Sequence, residues 1–225
     1  PRNSSWQGKG SLVLPLNAEF KTSLESALVA YEGDREQVMP YLQARGIDLD
    51  TVVRMRLGHV SAPASAGHEP YIGRLVIPSL GHDSMPYALR FRCIEAHDCK
   101  EAGHSKYLGM GGQETRLFNI RAIHEAGDTI CITEGEIDAV TLEQCGRHAV
   151  GVTGASAWKL HHPRMFAGFR RIFVFGDGDN AGKQFAKDVS VSLPVSTVIT
   201  MEAGEDVNSV YVRGGKAALD KLMGL

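Results

Sequence analysis

The chain has 225 residues, 43% hydrophobic and 22% charged, with 24 Lys and Arg against 26 Asp and Glu for a net charge of −2. That length suits one large domain or two small ones with a real core. No stretch approaches the roughly 18 consecutive apolar residues that span a bilayer, so no membrane partner is expected. The charge balance removes the overall basicity that marks many nucleic-acid binders, although a few Arg and Lys with metal ions can still hold phosphate locally.

Residues Pro1 to Ser5 have neither the charged nor the apolar region of a secretory leader. The missing initiator Met points to a processed, trimmed or excerpted chain. Cysteines at 93, 99, 131 and 145 make no secreted disulfide framework. Cys131, in an apolar run, and Cys145, near a helix end, read as buried free thiols, and a reducing cytoplasm is the expected setting.

Residues 1–16 are polar and Gly-rich and read as an arm. From Asn17 to about Gly58 the pattern is helical. Ala27, Leu28 and Tyr31 lead into a second helix over 34–44, with Val38, Tyr41 and Leu42 on one face, Asp34 as cap and Gly46 as stop. A third helix begins at Asp48. Residues 61–70 form a loop, followed by strands at 74–78, 87–92 and 116–119, with a long polar loop over 93–112. From Asp128 the pattern alternates. Strands at 130–133, 149–152, 171–175 and 195–200 are separated by helices at 137–144, 158–166 and 182–190, and a last helix covers about 215–223. Alternation of this kind implies βαβ units and a mostly parallel sheet.

In such a sheet ligands bind at the carboxyl ends of the strands. Glu134 follows the strand 130–133, Asp177 and Asp179 follow 171–175, and Asp206 follows 195–200 by a short loop. Asp138 sits one turn into the helix after Glu134. Clustered carboxylates repel unless a cation neutralises them, and an oxygen-only donor set favours Mg²⁺ or Mn²⁺ over softer ions. Such ions usually hold substrate phosphates too, which points to phosphoryl or nucleotidyl chemistry, with Glu134 as ligand or general base. Asp177-Gly178-Asp179-Asn180 also invites an EF-hand reading, which fails because Ala181 stands at the fifth loop position.

These residues resemble a known family. Thr133-Glu134-Gly135-Glu136-Ile137-Asp138 is similar to the Glu-Gly-x-x-Asp motif of topoisomerase–primase (Toprim) domains. Asp177-Gly178-Asp179-Asn180-Ala181-Gly182 is similar to the Asp-x-Asp-x-Ala-Gly motif in the form found in bacterial-type, DnaG-like DNA primases and their phage relatives. Tyr41 to Ile47, Gly73 to Pro78, Lys106-Tyr107-Leu108, Leu117-Phe118-Asn119 and Gly204 to Asn208 resemble further primase-core segments in the same order. The resemblance covers about residues 24–221.

It implies an α+β and α/β fold: a small mixed helical-and-strand subdomain over 1–126, then a Toprim α/β domain over 127–225 with a central, mostly parallel sheet. It implies a DNA-directed RNA polymerase of the primase type, a nucleotidyltransferase making short RNA primers on single-stranded DNA from ribonucleoside triphosphates. Glu134, Asp138, Asp177 and Asp179 would be catalytic. Glu134, Asp177, Asp179, Asp206 and Asn208 would hold or organise metal. Arg45, Arg74, Arg90, Arg92 and Lys106 would contact template or nucleotide phosphates. Helicase-contacting and zinc-ribbon partners, and the cytoplasm of a phage's bacterial host, complete the expectation.

Two departures stand out. Asn208 occupies a position where the family carries Asp, and the interval from Arg92 to Lys106 is long. That interval contains Cys93, His97, Cys99 and His104, a zinc set in kind. The x3, x1, x4 spacing is unusual and would need a tight turn, so a loop of free side chains is favoured over zinc. The competing functions are a Mg²⁺-dependent Toprim nuclease and a non-catalytic module that binds DNA or a replication partner.

Overall fold

A computed structural model describes residues 17–111, 115–154 and 157–225. The expected arm over 1–16 and the last residue of the expected 93–112 loop lie outside the described residues.

The first half is a four-stranded antiparallel sheet with helices packed on it. Helix α1 (Ala18–Gly33) is capped by Asn17, whose side chain accepts from Phe20 N–H at 2.7 Å. Helices α2 (Met39–Ala44) and α3 (Leu49–Arg54) follow. Strands β1 (Gly58–His59), β2 (Leu75–Leu80), β3 (Pro86–Arg92) and β4 (Tyr107–Gly109) pair in the order β1-β2-β3-β4. All six residues of β2 are buried because both faces are covered. Val76 and Leu80 join Leu24, Leu28 and Tyr31 of α1, while Leu75 and Ile77 point into the second core. The period of two decides which residue meets which layer.

The second half is a five-stranded sheet of order β5-β7-β6-β8-β9. Its elements are β5 (Leu117–Phe118), α4 (Arg121–Glu125), β6 (Thr129–Thr133), α5 (Glu136–Gln144), β7 (Ala149–Val152), β8 (Arg171–Phe175), α6 (Asn180–Ser192), β9 (Ser196–Ile199) and α7 (Val207–Leu222). Strands β7, β6, β8 and β9 run parallel; β5 is antiparallel to β7. Helix α5 is buried on nearly every side, because it lies between the sheet and α7 and α3. One hydrophobic core joins α2, α3 and β2 to α5, β8 and α7. Strand β5 lies before residue 126 yet pairs with the second sheet. The division at 126/127 is therefore proposed as a chain boundary, not as a break in the core.

Several elements differ from the sequence reading. The expected helix 34–44 is a 3-10 turn over Arg35–Gln37 followed by α2, and Asp34 makes no side-chain cap. Pro40 explains the break: it has no N–H to give to the carbonyl of Glu36 and its ring crowds that carbonyl, so the helix restarts with Pro40 in its first turn. The expected loop 93–112 contains β4, whose three residues are too few for a visible alternation. The stretch 158–166 is only a 3-10 turn over His162–Phe166. The last helix starts at Val207, not near 215. Asp206 and Ser209 form a reciprocal capping box there, and the helix continues past a kink at Gly215, where φ is 62°. Gly214-Gly215 looks like a break in the sequence; in the fold it only bends the helix.

Candidate functional site

The direction of strand succession reverses at β6 in the second sheet. The chain passes from β6 to β7 on one side, then crosses to β8 on the other. This is the switch point where a crevice opens beyond the carboxyl ends of the strands. Glu134 leaves β6 there and Asp177 leaves β8. A cavity of about 270 Å³ at that edge is lined by Glu134, Asp138, Asp177 and Asp206 together with Arg45, Arg90, Arg92 and Lys106.

Glycines let the chain fit this tightly. A Cβ at Gly178 would fall on the carbonyl oxygen of Glu202, and one at Gly182 on the backbone of Asp177. The Asp-Gly-Asp-Asn-Ala-Gly segment is thus wedged between the loop before α7 and its own helix, with Gly178 N–H donating to Glu205 O at 2.8 Å. Asp179 caps α6, accepting from Gly182 N–H at 2.8 Å, and Asp206 caps α7, accepting from Ser209 N–H at 2.6 Å. Each cap engages one carboxylate oxygen. Helices α5, α6 and α7 all begin at this edge, and their amino ends favour negative charge.

The acids remain under-compensated. Burial pushes the Asp138 carboxyl up to about 7, with the charges of Asp206 and Asp177 adding to the rise and the Asn208 N–H and Arg45 opposing it. Burial, then Glu134, Asp206 and Asp179, push Asp177 up to about 6. Burial also raises Glu134, against a hydrogen bond from Asp177 N–H. Glu134 Oε2 is buried and has no hydrogen-bond partner among the described residues. An oxygen-only set of repelling acids with an orphaned buried carboxylate oxygen fits a divalent cation such as Mg²⁺ or Mn²⁺.

The expected basic residues fall into two groups. Arg45 and Lys106 remain available at the cavity. Among the described residues the Lys106 ammonium makes no hydrogen bond or ion pair, and it is held below the ordinary lysine range by burial, then by Arg92 and Arg45. Arg45 donates from Nη1 to Asn208 Oδ1 at 3.2 Å. The others are engaged inside the protein. Arg90 Nε lies 2.9 Å from the buried Glu136 carboxylate, outside hydrogen-bond geometry, so the contact is charge pairing; its Nη1 donates to Thr153 O at 3.1 Å. Arg92 is buried, donates to Tyr107 Oη, and lies 5.5 Å from the Tyr41 ring centre and 4.9 Å from that of Tyr107. Arg74 donates to the carbonyls of Ser105 and Lys106.

Asn208 is 1% exposed and its carboxamide is in use: Nδ2 donates to Arg45 O at 2.9 Å and to Thr141 Oγ1 at 3.0 Å, and Oδ1 accepts from Arg45. Its backbone N–H donates to Asp138 Oδ1 at 3.0 Å. Tyr41, Tyr107, Glu136 and Thr141 were not assigned from sequence. Tyr41 and Tyr107 stand inside recognised segments, and Glu136 occupies a variable position of the Glu-Gly-x-x-Asp motif, so spacing alone gave no signal for them.

The Cys/His interval departs most from expectation. Cys93, His97, Cys99 and His104 converge, each offering one ligand atom within 4.8 Å of the others. Cys93 Sγ is 3.6 Å from His97 Nε2, which is 2.8 Å from His104 Nε2.

Residues 131–211 match the family described as Toprim-like. The Gene 57 protein of Mycobacterium phage D29 is 43% identical over 132 residues, which cover 59% of this chain and 83% of that protein. A DNA helicase/primase of Enterobacteria phage T3 is 29% identical over 121 residues, 50% of this chain and 21% of that one. The fold matches the RNA polymerase domain of Mycobacterium tuberculosis primase DnaG with a TM-score of 0.74 at 18% identity, over 93% of this chain and 84% of that one. It matches a DnaG primase catalytic domain bound to ssDNA with a TM-score of 0.72 at 17% identity, over 92% and 80%.

Proposed function

Since the chain belongs to the family of the phage D29 Gene 57 protein, carries a Toprim-like segment over residues 131–211 and has the fold of DnaG primase catalytic cores, we propose that it is a polymerase core that builds short RNA primers on single-stranded DNA. The observation that carries this reading is the pairing of Glu134, with its orphaned oxygen, and Asp177 across the switch point. Glu134, Asp177, Asp179 and Asp206 would hold the divalent ion, with Asp138 behind them. When bound, the ion neutralises these acids and makes the reacting phosphate more electrophilic.

The chain's own residues do the rest. Lys106 and Arg45 hold template or nucleotide phosphates at the mouth of the cavity. Glu134, raised by burial, accepts the proton of the attacking ribose hydroxyl. The oxygen then bonds to the α-phosphorus, the bond to the bridging oxygen breaks, and pyrophosphate leaves toward Lys106. Arg90 and Arg92 act from behind, fixing Glu136 and Tyr107. Asn208 locks Arg45 onto α5 instead of joining the ligands. A helicase partner and a bacterial host cytoplasm belong to the same reading. Among the described residues no helix is long and apolar enough to cross a membrane.

The test supplies a single-stranded template, ribonucleotides and Mg²⁺ or Mn²⁺, with and without an added zinc-ribbon partner. Short RNA that disappears in Asp177→Asn supports the reading. Template loss without new RNA would identify a nuclease, and binding without either activity a non-catalytic module.

A further inference from the structure

The connection from β3 to β4 folds onto itself for a reason that the carboxylate cavity does not supply. Asp98 starts a tight turn: its Oδ1 accepts from Lys100 N–H and Glu101 N–H at 2.8 and 2.9 Å. Ala102 N–H returns to Asp98 O and His104 N–H to Cys99 O, both at 2.9 Å, with Gly103 at φ 76° between them. This turn is what lets His97 and Cys99, only one residue apart, face the same point as His104. The fourth member is anchored at the sheet, where Cys93 N–H donates to Lys106 O at 2.8 Å and extends the β3–β4 ladder.

The histidine chemistry also fits. His104 Nδ1 lies 3.2 Å from the carbonyl of Ser105. A carbonyl only accepts, so the proton sits on Nδ1 and the lone pair of Nε2 faces His97 and the thiols. Arg74 Nη2, 3.4 Å from the same nitrogen, would ask for the opposite tautomer, and the shorter contact decides. A ring N–H given to a backbone carbonyl is the usual support of a metal-bound histidine.

We propose that Cys93, His97, Cys99 and His104 hold a structural zinc ion that pins this connection as one wall of the basic groove. Two sulfurs and two imidazole nitrogens in a tetrahedral arrangement select zinc over harder ions, and four protein ligands close the site to substrate. With Zn–S and Zn–N bonds of about 2.3 and 2.0 Å, donors sit about 3.3–3.8 Å apart, so the widest pair closes by about 1 Å. Binding displaces the two thiol protons, and two thiolates cancel the charge of the ion. The groove, about 850 Å³, is lined by all four residues and by Arg45, Arg92 and Lys106, which also line the carboxylate cavity. The ion thus fixes both ends of the segment that carries Lys106. The metal assignment stands by itself; the groove-wall role rests on the proposed polymerase reading.

The full chain, produced in zinc-replete cells and passed over a desalting column, should carry about one zinc ion per chain by elemental mass spectrometry. Cobalt loading should give the visible bands of tetrahedral Co²⁺ and a near-ultraviolet thiolate-to-cobalt band. Cys99→Ser and His97→Ala should each lose at least about tenfold in retained zinc, with the circular dichroism of the parent. If the variants fail to fold, the cobalt spectrum of the unsubstituted chain decides. Folded protein with no zinc and no cobalt band, stoichiometric iron in its place, or a Cys93–Cys99 disulfide would overturn the proposal. None of these readings uses nucleotides, so failure of the polymerase assay leaves them intact.

Discussion

Two groups of ligand-type side chains share the basic residues Arg45, Arg92 and Lys106, and they are assembled by opposite means. The Cys/His quartet comes from one connection, residues 93–104, and its donor atoms gather within 4.8 Å. Thiols and neutral imidazoles approach without electrostatic cost, so hydrogen bonds of a local turn suffice. The carboxylates come from the ends of β6 and β8 and the first turns of α5 and α7, and burial and mutual repulsion push Asp138 and Asp177 well above the ordinary range. Only a rigid sheet and three helix starts hold them together. A site of neutral ligands can be coded locally; a site of like charges must be imposed by topology and completed by a cation.

The sharpest way to break this contrast is to remove one acid at the switch point. Asp177→Asn keeps shape but removes charge from the centre of the set. It should lower primer synthesis by at least about 100-fold while zinc content and folding stay unchanged. Loss of both together would mean that the two regions are one unit.

How far the sequence could be read follows the same division. Strand ends and the acidic motifs pointed to Glu134, Asp138, Asp177 and Asp206 at one sheet edge, and these four line one cavity there, because topology follows from βαβ alternation. The Cys/His set was visible in kind but not in geometry. The Asp98 turn that makes it converge depends on backbone hydrogen bonds that spacing does not display. The basic residues were recognised by type but not by duty. Nothing near Arg90 in the sequence announces that Glu136 will be buried against it, since that contact joins β3 to α5 across the two sheets.

Arg90 therefore offers the next test. Glu136 is 3% exposed, and breaking a buried pair by removing one partner leaves an uncompensated charge. Arg90→Ala should cost about 3 kcal/mol in urea unfolding at pH 8, the low end of the range because Arg92 still faces Glu136. A loss below about 0.5 kcal/mol with weakened DNA binding would instead return Arg90 to the phosphate-binding group.

Asn208→Asp probes the same boundary more gently. The change restores the acid that the family pattern carries there. In this fold it would remove the two hydrogen bonds donated to Arg45 O and Thr141 Oγ1 and set a carboxylate beside Asp138. Retention of Arg45 as a partner offsets part of the loss. The expected cost is about 2 kcal/mol by thermal or urea unfolding without added divalent ions, shrinking when Mg²⁺ is added. A stabilised variant in the absence of metal would show that Asn208 is not the lock between α7 and Arg45.

The last effect is read as a slope. In buffer free of Mg²⁺ and Mn²⁺, Asp177 and Asp138 keep their protons in the folded chain up to about pH 6 and 7, whereas the unfolded chain releases them near 3.8. Between those limits the folded state binds more protons, so stability falls as pH rises, by at most about 1.4 kcal/mol per pH unit for each group. Water around the half-buried Asp177 screens its share. Three histidines act in the opposite sense inside this window, up to the free value of 6.5: His162, pushed down to about 4 by burial, and His59 and His68, also held low by burial. Asp220, held low by Lys216 and Arg147, and Asp98, held low by backbone N–H groups, act in that sense only below the ordinary carboxylate value. Asp138→Asn leaves the histidines unchanged, so the melting temperature of the parent relative to that variant, recorded from pH 4.5 to 8, should decline. The variant, which keeps an oxygen for Asn208 N–H, should stabilise the metal-free protein at pH 8. Mg²⁺, which binds the ionised acids, should raise the slope for the parent chain and do so less for the variant. A difference between parent and variant that stays level or rises through this window without metal would mean that the acids are compensated by the protein itself, and the contrast with the Cys/His loop would fail.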